Sequence, residues 1–237
     1  EASDPVGELA GVVGATVGRG GTVVVPAFAV GRAQTLLYYL WTLRQAGRLP
    51  DVPVYLDSPM AINASELLGT YSSDHRLAPG VYEGMCDMAT YTRDPEQSMK
   101  ISASTEPKIV ISASGMATGG RILHHLKAFA PDPRNTIVIT GYQVPGTRGA
   151  SIAAGERQVR VYGEWIRINA QVANLAMLSA HADADELIRW AKGFTTAPKE
   201  VFVVHGEPQP ADTLRRRLDH ELGWQATVSR MNQVFEL

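Results

Sequence analysis

Two hydrophobic patterns alternate along roughly the first 140 residues of the chain. Short, nearly continuous apolar runs predict buried strands, as in "GGTVVVPAFA", "VPVYLDSP", "PKIVISAS" and "NTIVITGYQ". Between these runs apolar residues recur at helical spacing, as in "RAQTLLYYLWTLRQAG" and "RILHHLKAF". The repeated strand–helix order predicts an α/β fold with a mainly parallel sheet flanked by helices.

Local signals place several helix starts. Asp4 followed by Pro5 is typical of an N-cap and a first helical residue, and Ser58 before Pro59 repeats that signal. The first strand is expected to end at Pro26. The segment from 75 to 105 has no clear period, so only short helices and loops are predicted there.

The pattern changes near residue 150. Two short alternating runs around Gly163-Glu164 predict an antiparallel hairpin. A helix from about Asp183, a strand "EVFVVH", a helix "QPADTLRRRLDHELG" and a strand "ATVSRM" follow. We therefore predict two domains, 1–150 and 151–237.

Composition narrows the class of protein. With 45% hydrophobic and 19% charged residues the 237-residue chain is globular, and its net charge of −2 favours no global attraction to nucleic acid. The single cysteine, Cys86, excludes an internal disulfide framework and a cysteine-rich zinc site, and it suits a reducing cytoplasm. Neither a membrane helix nor a signal peptide is expected.

A glycine-rich loop separates a predicted strand from a helix in "VISASGMATGGRILHHL". Backbone N–H groups at such a helix start favour phosphate, and the candidate residues are Ser114, Gly115, Gly119, Gly120 and Arg121. The alternative is a tight turn whose glycines only allow close packing. For His124 and His125 we favour surface or core roles, because adjacent residues do not share a helix face.

Two further polar positions follow predicted strands, where ligands collect in open α/β sheets. Arg32 is either a phosphate anchor or a structural ion-pair partner. For Asp57 a buried ion pair and a functional role are both open, whereas Ser58 is expected to cap the next helix.

Two of the six histidines close similar apolar stretches near the end of the chain. His205 follows "VFVV" and precedes Gly206, and His181 precedes a helix that Ser179 or Asp183 is expected to cap. Imidazole binds both zinc and phosphate, but a catalytic zinc needs about three protein ligands. From the residues alone, such a site is only half present.

Six ordered motifs together carry a family resemblance. They are "GGTVVVPAFAVGRAQ", "VYLDSPMA", "SASGMATGGRILHHLK", "GYQVPGTRGA", "LSAHADADEL" and "VFVVHGE". The chain resembles the metallo-β-lactamase-fold nucleases of the β-CASP group, above all the bacterial and archaeal relatives of the cleavage-and-polyadenylation endonuclease, with RNase J more distant.

This resemblance implies a fold and a function. Residues 1–150 would be most of a β-CASP cassette, and 151–237 the C-terminal part of a metallo-β-lactamase domain, in a zinc-dependent ribonuclease with two zinc ions. It implies that His205 binds zinc and that His181 contacts the scissile phosphate. The glycine loop, Arg32 and Asp183 would contact RNA. The expected partners are RNA, the N-terminal metallo-β-lactamase region and a second copy of the chain.

The zinc-binding HxHxDH motif of such enzymes is absent from these 237 residues. We therefore expect a fragment that is inactive and binds little zinc by itself. Two other functions stay open: a catalytically silent RNA-binding or scaffolding protein of this family, and an unrelated α/β domain that binds a phosphate ligand.

Overall fold

The computed structural model describes residues 4–175 and 181–236. The chain divides into two compact units, Glu1–Ser179 and Ala180–Leu237. Compact units need not coincide with evolutionary domains, so the domain boundary near residue 150 stays a prediction.

Helices and strands alternate through the first unit. Its helices are α1 (Pro5–Gly18), α2 (Arg32–Gln45), α3 (Pro59–Thr70), α4 (Val81–Met88), α5 (Pro95–Ala103), α6 (Ile122–Phe129) and α7 (Arg148–Ala153). Its strands are β1 (Val23–Pro26), β2 (Val54–Leu56), β3 (Ala89–Tyr91), β4 (Ile109–Ser112), β5 (Thr136–Thr140), β6 (Gln158–Val161), β7 (Glu164–Arg167) and β8 (Gln171–Leu175). A short 3-10 turn lies at Ser72–Asp74.

Six of these strands form one parallel sheet in the order β3-β2-β4-β1-β5-β8. Every residue of β1, β4 and β5 is buried, which explains their continuous apolar runs. The α/β fold with a mainly parallel sheet is therefore confirmed.

Helices cover both faces of this sheet. Val23 and Val25 pack into a core with α2 and α3, whereas Val24 between them packs into a second core with α6. Alternate strand residues point to opposite faces, so one short strand contributes to both cores.

The predicted helix starts are confirmed by their caps. The Asp4 carboxylate accepts a hydrogen bond from the Gly7 N–H at 2.9 Å, and the Ser58 hydroxyl accepts one from the Ala61 N–H at 3.3 Å. Each bond satisfies one of the N–H groups that a helix start leaves without a partner inside the helix.

The predicted hairpin is confirmed as β6 and β7, which pair antiparallel. Its two turn residues, Tyr162 and Gly163, have φ values of 50° and 84°, as a two-residue hairpin turn requires. The antiparallel setting ends there, because β8 returns to the main sheet beside β5.

Strand β3, helix α7 and strand β8 were not predicted. Strand β3 has only three residues and none is fully buried, so it produces no apolar run. Helix α7 has six residues, in a segment for which no element was predicted. Strand β8 has five residues of which only Leu175 is fully buried, so it too lacks an apolar run.

The second unit contains α8 (Ala184–Ala191), β9 (Val201–Val203), α9 (Pro208–Leu222) and β10 (Ala226–Val228), in the predicted order. Strands β9 and β10 pair parallel. A small core lies between strands and helices and comprises Ile188, Ala191, Val203, Ala211 and Leu218. Within residues 4–175 and 181–236, no helix is long and apolar enough to cross a membrane.

Candidate functional site

A cleft of about 520 Å³ lies where the chain leaves three neighbouring strands of the parallel sheet. The segments after β1, β2 and β4 line it, and carboxyl ends of strands are the usual ligand site in such sheets. The cleft brings together seven residues singled out in the sequence: Asp57, Ser58, Ser114, Gly115, Gly119, Gly120 and Arg121.

The buried carboxylate of Asp57 organises one side of this cleft. Its Oδ1 accepts a hydrogen bond from Arg121 Nη1 at 2.7 Å, and its Oδ2 lies 2.6 Å from His125 Nε2. The Ser98 hydroxyl donates to Oδ2 at 2.5 Å. Burial by itself raises the pKa of Asp57, but the bonds from His125, Ser98 and Arg121 outweigh burial and lower it. Asp57 is therefore an ionised, fully paired group.

Arg121 is held by more than this carboxylate. Its Nη1 also donates to the Thr92 carbonyl at 2.9 Å, and its Nη2 donates to the Arg93 carbonyl at 2.5 Å. Both terminal nitrogens thus bind the protein. The structure gives Arg121 a tethering role between the glycine loop and the end of β3, and a phosphate contact by this side chain stays a prediction.

Inside the glycine loop, several N–H groups bind other loop atoms. The Ser114 hydroxyl accepts from the N–H groups of Thr118 and Gly119 at 3.0 and 3.3 Å. The Ala117 N–H donates to the Ser114 carbonyl, and the Ser114 N–H to the Gly119 carbonyl. These four donors are used within the loop, which favours the tight-turn alternative for this part of it.

Arg32 begins α2 and points toward the end of β5. A Cβ atom placed on Gly141 would lie 3.3 Å from its Nη2. Its Nη1 is buried and has no hydrogen-bond partner among residues 4–175 and 181–236. Burial lowers the pKa of this guanidinium, although not enough to discharge it at neutral pH. The ion-pair alternative for Arg32 finds no support among the described ion pairs, and phosphate anchoring stays a prediction.

The two histidines of interest belong to the second unit. His181 and His205 are both exposed, and His205 has the left-handed φ of 62°, which is unusual for a residue with a side chain. Among residues 4–175 and 181–236, no three His, Cys, Asp or Glu side chains form a group able to hold a metal ion. The described residues therefore do not provide a zinc site by themselves.

Comparisons with known proteins place this geometry in a family. The model of the Beta-Casp domain matches residues 33–152, half of the chain. The chain belongs to the Beta-Casp family. A second model, described as the "Zn-dependent metallo-hydrolase RNA specificity domain", matches residues 165–229.

Curated relatives of this Beta-Casp chain are much longer than it is. It is 39% identical over 216 residues to Ribonuclease TTHA0252 of Thermus thermophilus, a match that covers 87% of the chain and 48% of that protein. Transcription termination factor FttA of Pyrococcus abyssi is 33% identical, and the match covers 90% of the chain and 34% of that protein. An RNase J-like protein of Methanocaldococcus jannaschii is 33% identical, and the match covers 81% of the chain and 44% of that protein. The chain thus spans about half or less of these relatives.

Asp183 has an identified structural role in the Beta-Casp chain. Its carboxylate accepts a hydrogen bond from the Glu186 N–H at 2.8 Å, while the Glu186 carboxylate accepts from the Asp183 N–H at 3.0 Å. This reciprocal pair is a capping box. One of the two caps predicted for this helix is therefore observed, and Ser179 lies outside the described residues.

The sequence interpretation missed how His125 is used. His125 is a satisfied core histidine, as favoured, but it is also a partner of Asp57. Its position four residues after Arg121 places both side chains on one helix face, which is the signal that could have indicated a shared partner. His124 points elsewhere, and its Nε2 lies 3.0 Å from the Tyr162 hydroxyl.

Proposed function

We propose that this chain is the C-terminal part of a zinc-dependent ribonuclease that hydrolyses RNA phosphodiester bonds. The observation that carries the proposal is the pair of family matches. The Beta-Casp match precedes a match described by zinc-dependent hydrolysis and RNA specificity, and the second spans both His181 and His205. The names of the Thermus and Methanocaldococcus relatives support the same reaction class.

The two histidines have separate roles in this proposal. His205 is a zinc ligand, and His181 contacts the scissile phosphate. The left-handed backbone at His205 supports a functional role, because such conformations cost about 1–3 kcal/mol and concentrate at functional sites. The remaining zinc ligands would come from outside this chain, since the described residues hold no group of three ligands.

The cleft of the first unit would contact RNA. Its loop residues lie at the ligand-binding edge of the sheet. The phosphate contact proposed for Arg32 would lie outside this cleft, beside Gly141. We expect weak RNA binding by the 237-residue chain, no cleavage and little bound zinc.

A longer protein that includes the preceding region tests the division of roles. His181→Ala should abolish cleavage of an end-labelled RNA while the zinc content, measured by atomic emission, stays unchanged. His205→Ala should reduce both cleavage and zinc content. His220→Ala, an exposed histidine at the end of α9, is the matched control and should change neither.

The outcomes separate the alternatives. Equal zinc loss in both variants would refute the separate roles. If the zinc-loaded long protein binds RNA but does not cleave it, the nuclease hypothesis fails and the protein is a catalytically silent RNA-binding member of the same family.

A further inference from the structure

A second cleft, of about 510 Å³, lies between α5 and α6. Its walls include the apolar Met99, Ala103 and Ala128, and its polar lining includes Ser102 and Lys127. Arg121 lines both clefts, but the proposed ribonuclease function assigns no role to Ser102 or His125.

A chain of hydrogen bonds runs from this cleft into the core. The Ser102 Oγ lies 3.0 Å from His125 Nδ1, and His125 Nε2 lies 2.6 Å from Asp57 Oδ2. The side chains of His125 and Asp57 are fully buried, whereas Ser102 is half-buried and lines the cleft. The order is therefore hydroxyl, imidazole, carboxylate.

The charge on Asp57 sets the direction of these bonds. An ionised carboxylate only accepts, so Nε2 carries the proton and donates to Asp57. In the neutral imidazole this leaves Nδ1 as an acceptor, and the Ser102 hydroxyl donates to it. Arg121 and Ser98 bind the same carboxylate and keep it ionised, which fixes the tautomer.

This arrangement meets the geometric criterion for an activated nucleophile. A hydroxyl lies within hydrogen-bond reach of a base, and a third group orients that base. In the well-known serine-protease triad the serine faces Nε2 and the aspartate faces Nδ1. Here the two ring nitrogens exchange both place and role, because Nε2 donates to the carboxylate and Nδ1 accepts from the serine.

We propose that Ser102, His125 and Asp57 form a nucleophilic site in the α5–α6 cleft, separate from phosphodiester hydrolysis, that reacts with carboxylic esters of small apolar acyl groups. The Ser102 Oγ forms a bond to the acyl carbon and its proton moves to His125 Nδ1. The bond from that carbon to the alcohol oxygen breaks, and the leaving alkoxide takes the proton from Nδ1. Water then releases the acid by the reverse transfers.

The lining of the cleft suits this substrate class. Met99 is 63% exposed and, with Ala103 and Ala128, provides apolar surface for a small acyl group. The Lys127 ammonium pairs with the exposed Glu164 at 2.8 Å, and it would have to turn from that carboxylate to stabilise the oxyanion formed during attack. The volume of about 510 Å³ is sufficient for a small ester.

The test uses an alkyl fluorophosphonate on the 237-residue chain. In this reaction the Ser102 Oγ–P bond forms, the P–F bond breaks, fluoride leaves and the proton goes to His125. The labelled residue and its rate of labelling are read by peptide mass spectrometry. Because a positioned base contributes about 10²–10⁴-fold, labelling of Ser102 should be at least about 100-fold faster in the native chain than in urea.

Two variants sharpen the result. Ser102→Ala should lose the label and should also lose hydrolysis of 4-nitrophenyl acetate. Ser104→Ala should keep both, because the Ser104 hydroxyl, half-buried like that of Ser102, accepts a hydrogen bond from the Glu106 N–H instead of facing an imidazole. A circular dichroism melt establishes that each variant is folded. Equal Ser102 labelling in native and urea-unfolded chains, or label on Ser104 instead, would overturn the proposal.

Discussion

The buried carboxylate of Asp57 offers the sharpest test of what holds the sheet edge together. Asp57→Asn keeps the size of the side chain but removes its charge and one of its two acceptor oxygens. Three donors, from Ser98, Arg121 and His125, point at the native carboxylate. At least one of them would be left facing an amide N–H.

The expected loss of unfolding free energy follows from burial. Removing one partner of a buried ion pair typically costs about 3–5 kcal/mol, because the other charge is left without a partner. The side chain of Arg121 is 17% exposed, so water would recover part of that loss. We therefore expect about 3 kcal/mol for Asp57→Asn.

Urea unfolding followed by far-UV circular dichroism measures this change. The chain contains two compact units, so a separate transition is fitted for each. The control is Glu66→Gln, which breaks the Glu66–Arg93 pair of 2.6 Å whose side chains are 59% and 49% exposed. That variant should cost less than about 1 kcal/mol. A loss no larger for Asp57→Asn than for this control would refute the assigned role.

Three further predictions concern the same elements. Folding lowers the pKa of Asp57. The stabilisation by its charge is therefore complete above the unfolded pKa of about 3.9 and is lost as pH falls through the folded pKa. The difference in unfolding free energy between wild type and Asp57→Asn, measured by urea titration, should shrink below about pH 4. Gly120→Ala should destabilise the first unit by about 1–3 kcal/mol in that assay, because φ is 80° and the new Cβ would lie 2.4 Å from the Ala113 carbonyl oxygen. The control Gly11→Ala, in open space on α1, should be neutral or stabilising. Equal effects of the two substitutions would contradict this reasoning. Asp183→Ala should cost the second unit about 1 kcal/mol and Asp183→Asn much less, since Asn also caps helices; a large loss for both would indicate a role beyond capping.

Several features of the fold could be predicted because their causes are local. The caps at Asp4, Ser58 and Asp183 depend on a side chain reaching an N–H three residues away. The fully buried strands are visible in the sequence as apolar runs, because both of their faces are covered. The short strand β3 could not be predicted, since it is exposed on one side and its pairing partner lies more than 30 residues away.

The candidate site shows the same division. Sequence alone indicated that Asp57, the glycine loop and Arg121 each follow a strand, and the order of the motifs indicated the family. It left open whether Asp57 forms an ion pair. The answer depends on residues 64 to 68 positions apart meeting in space, and the phosphate contact of Arg121 stays a prediction.

The sequence by itself determined the parallel α/β architecture, the helix starts and the family, because periodicity, capping and motif order are written along the chain. Only the tertiary structure decided which polar groups are paired. It joined Asp57 to Arg121 and His125, and it placed Ser102 on the other nitrogen of that imidazole. Desolvation and pairing are properties of the packed molecule, so they appear only after distant segments meet.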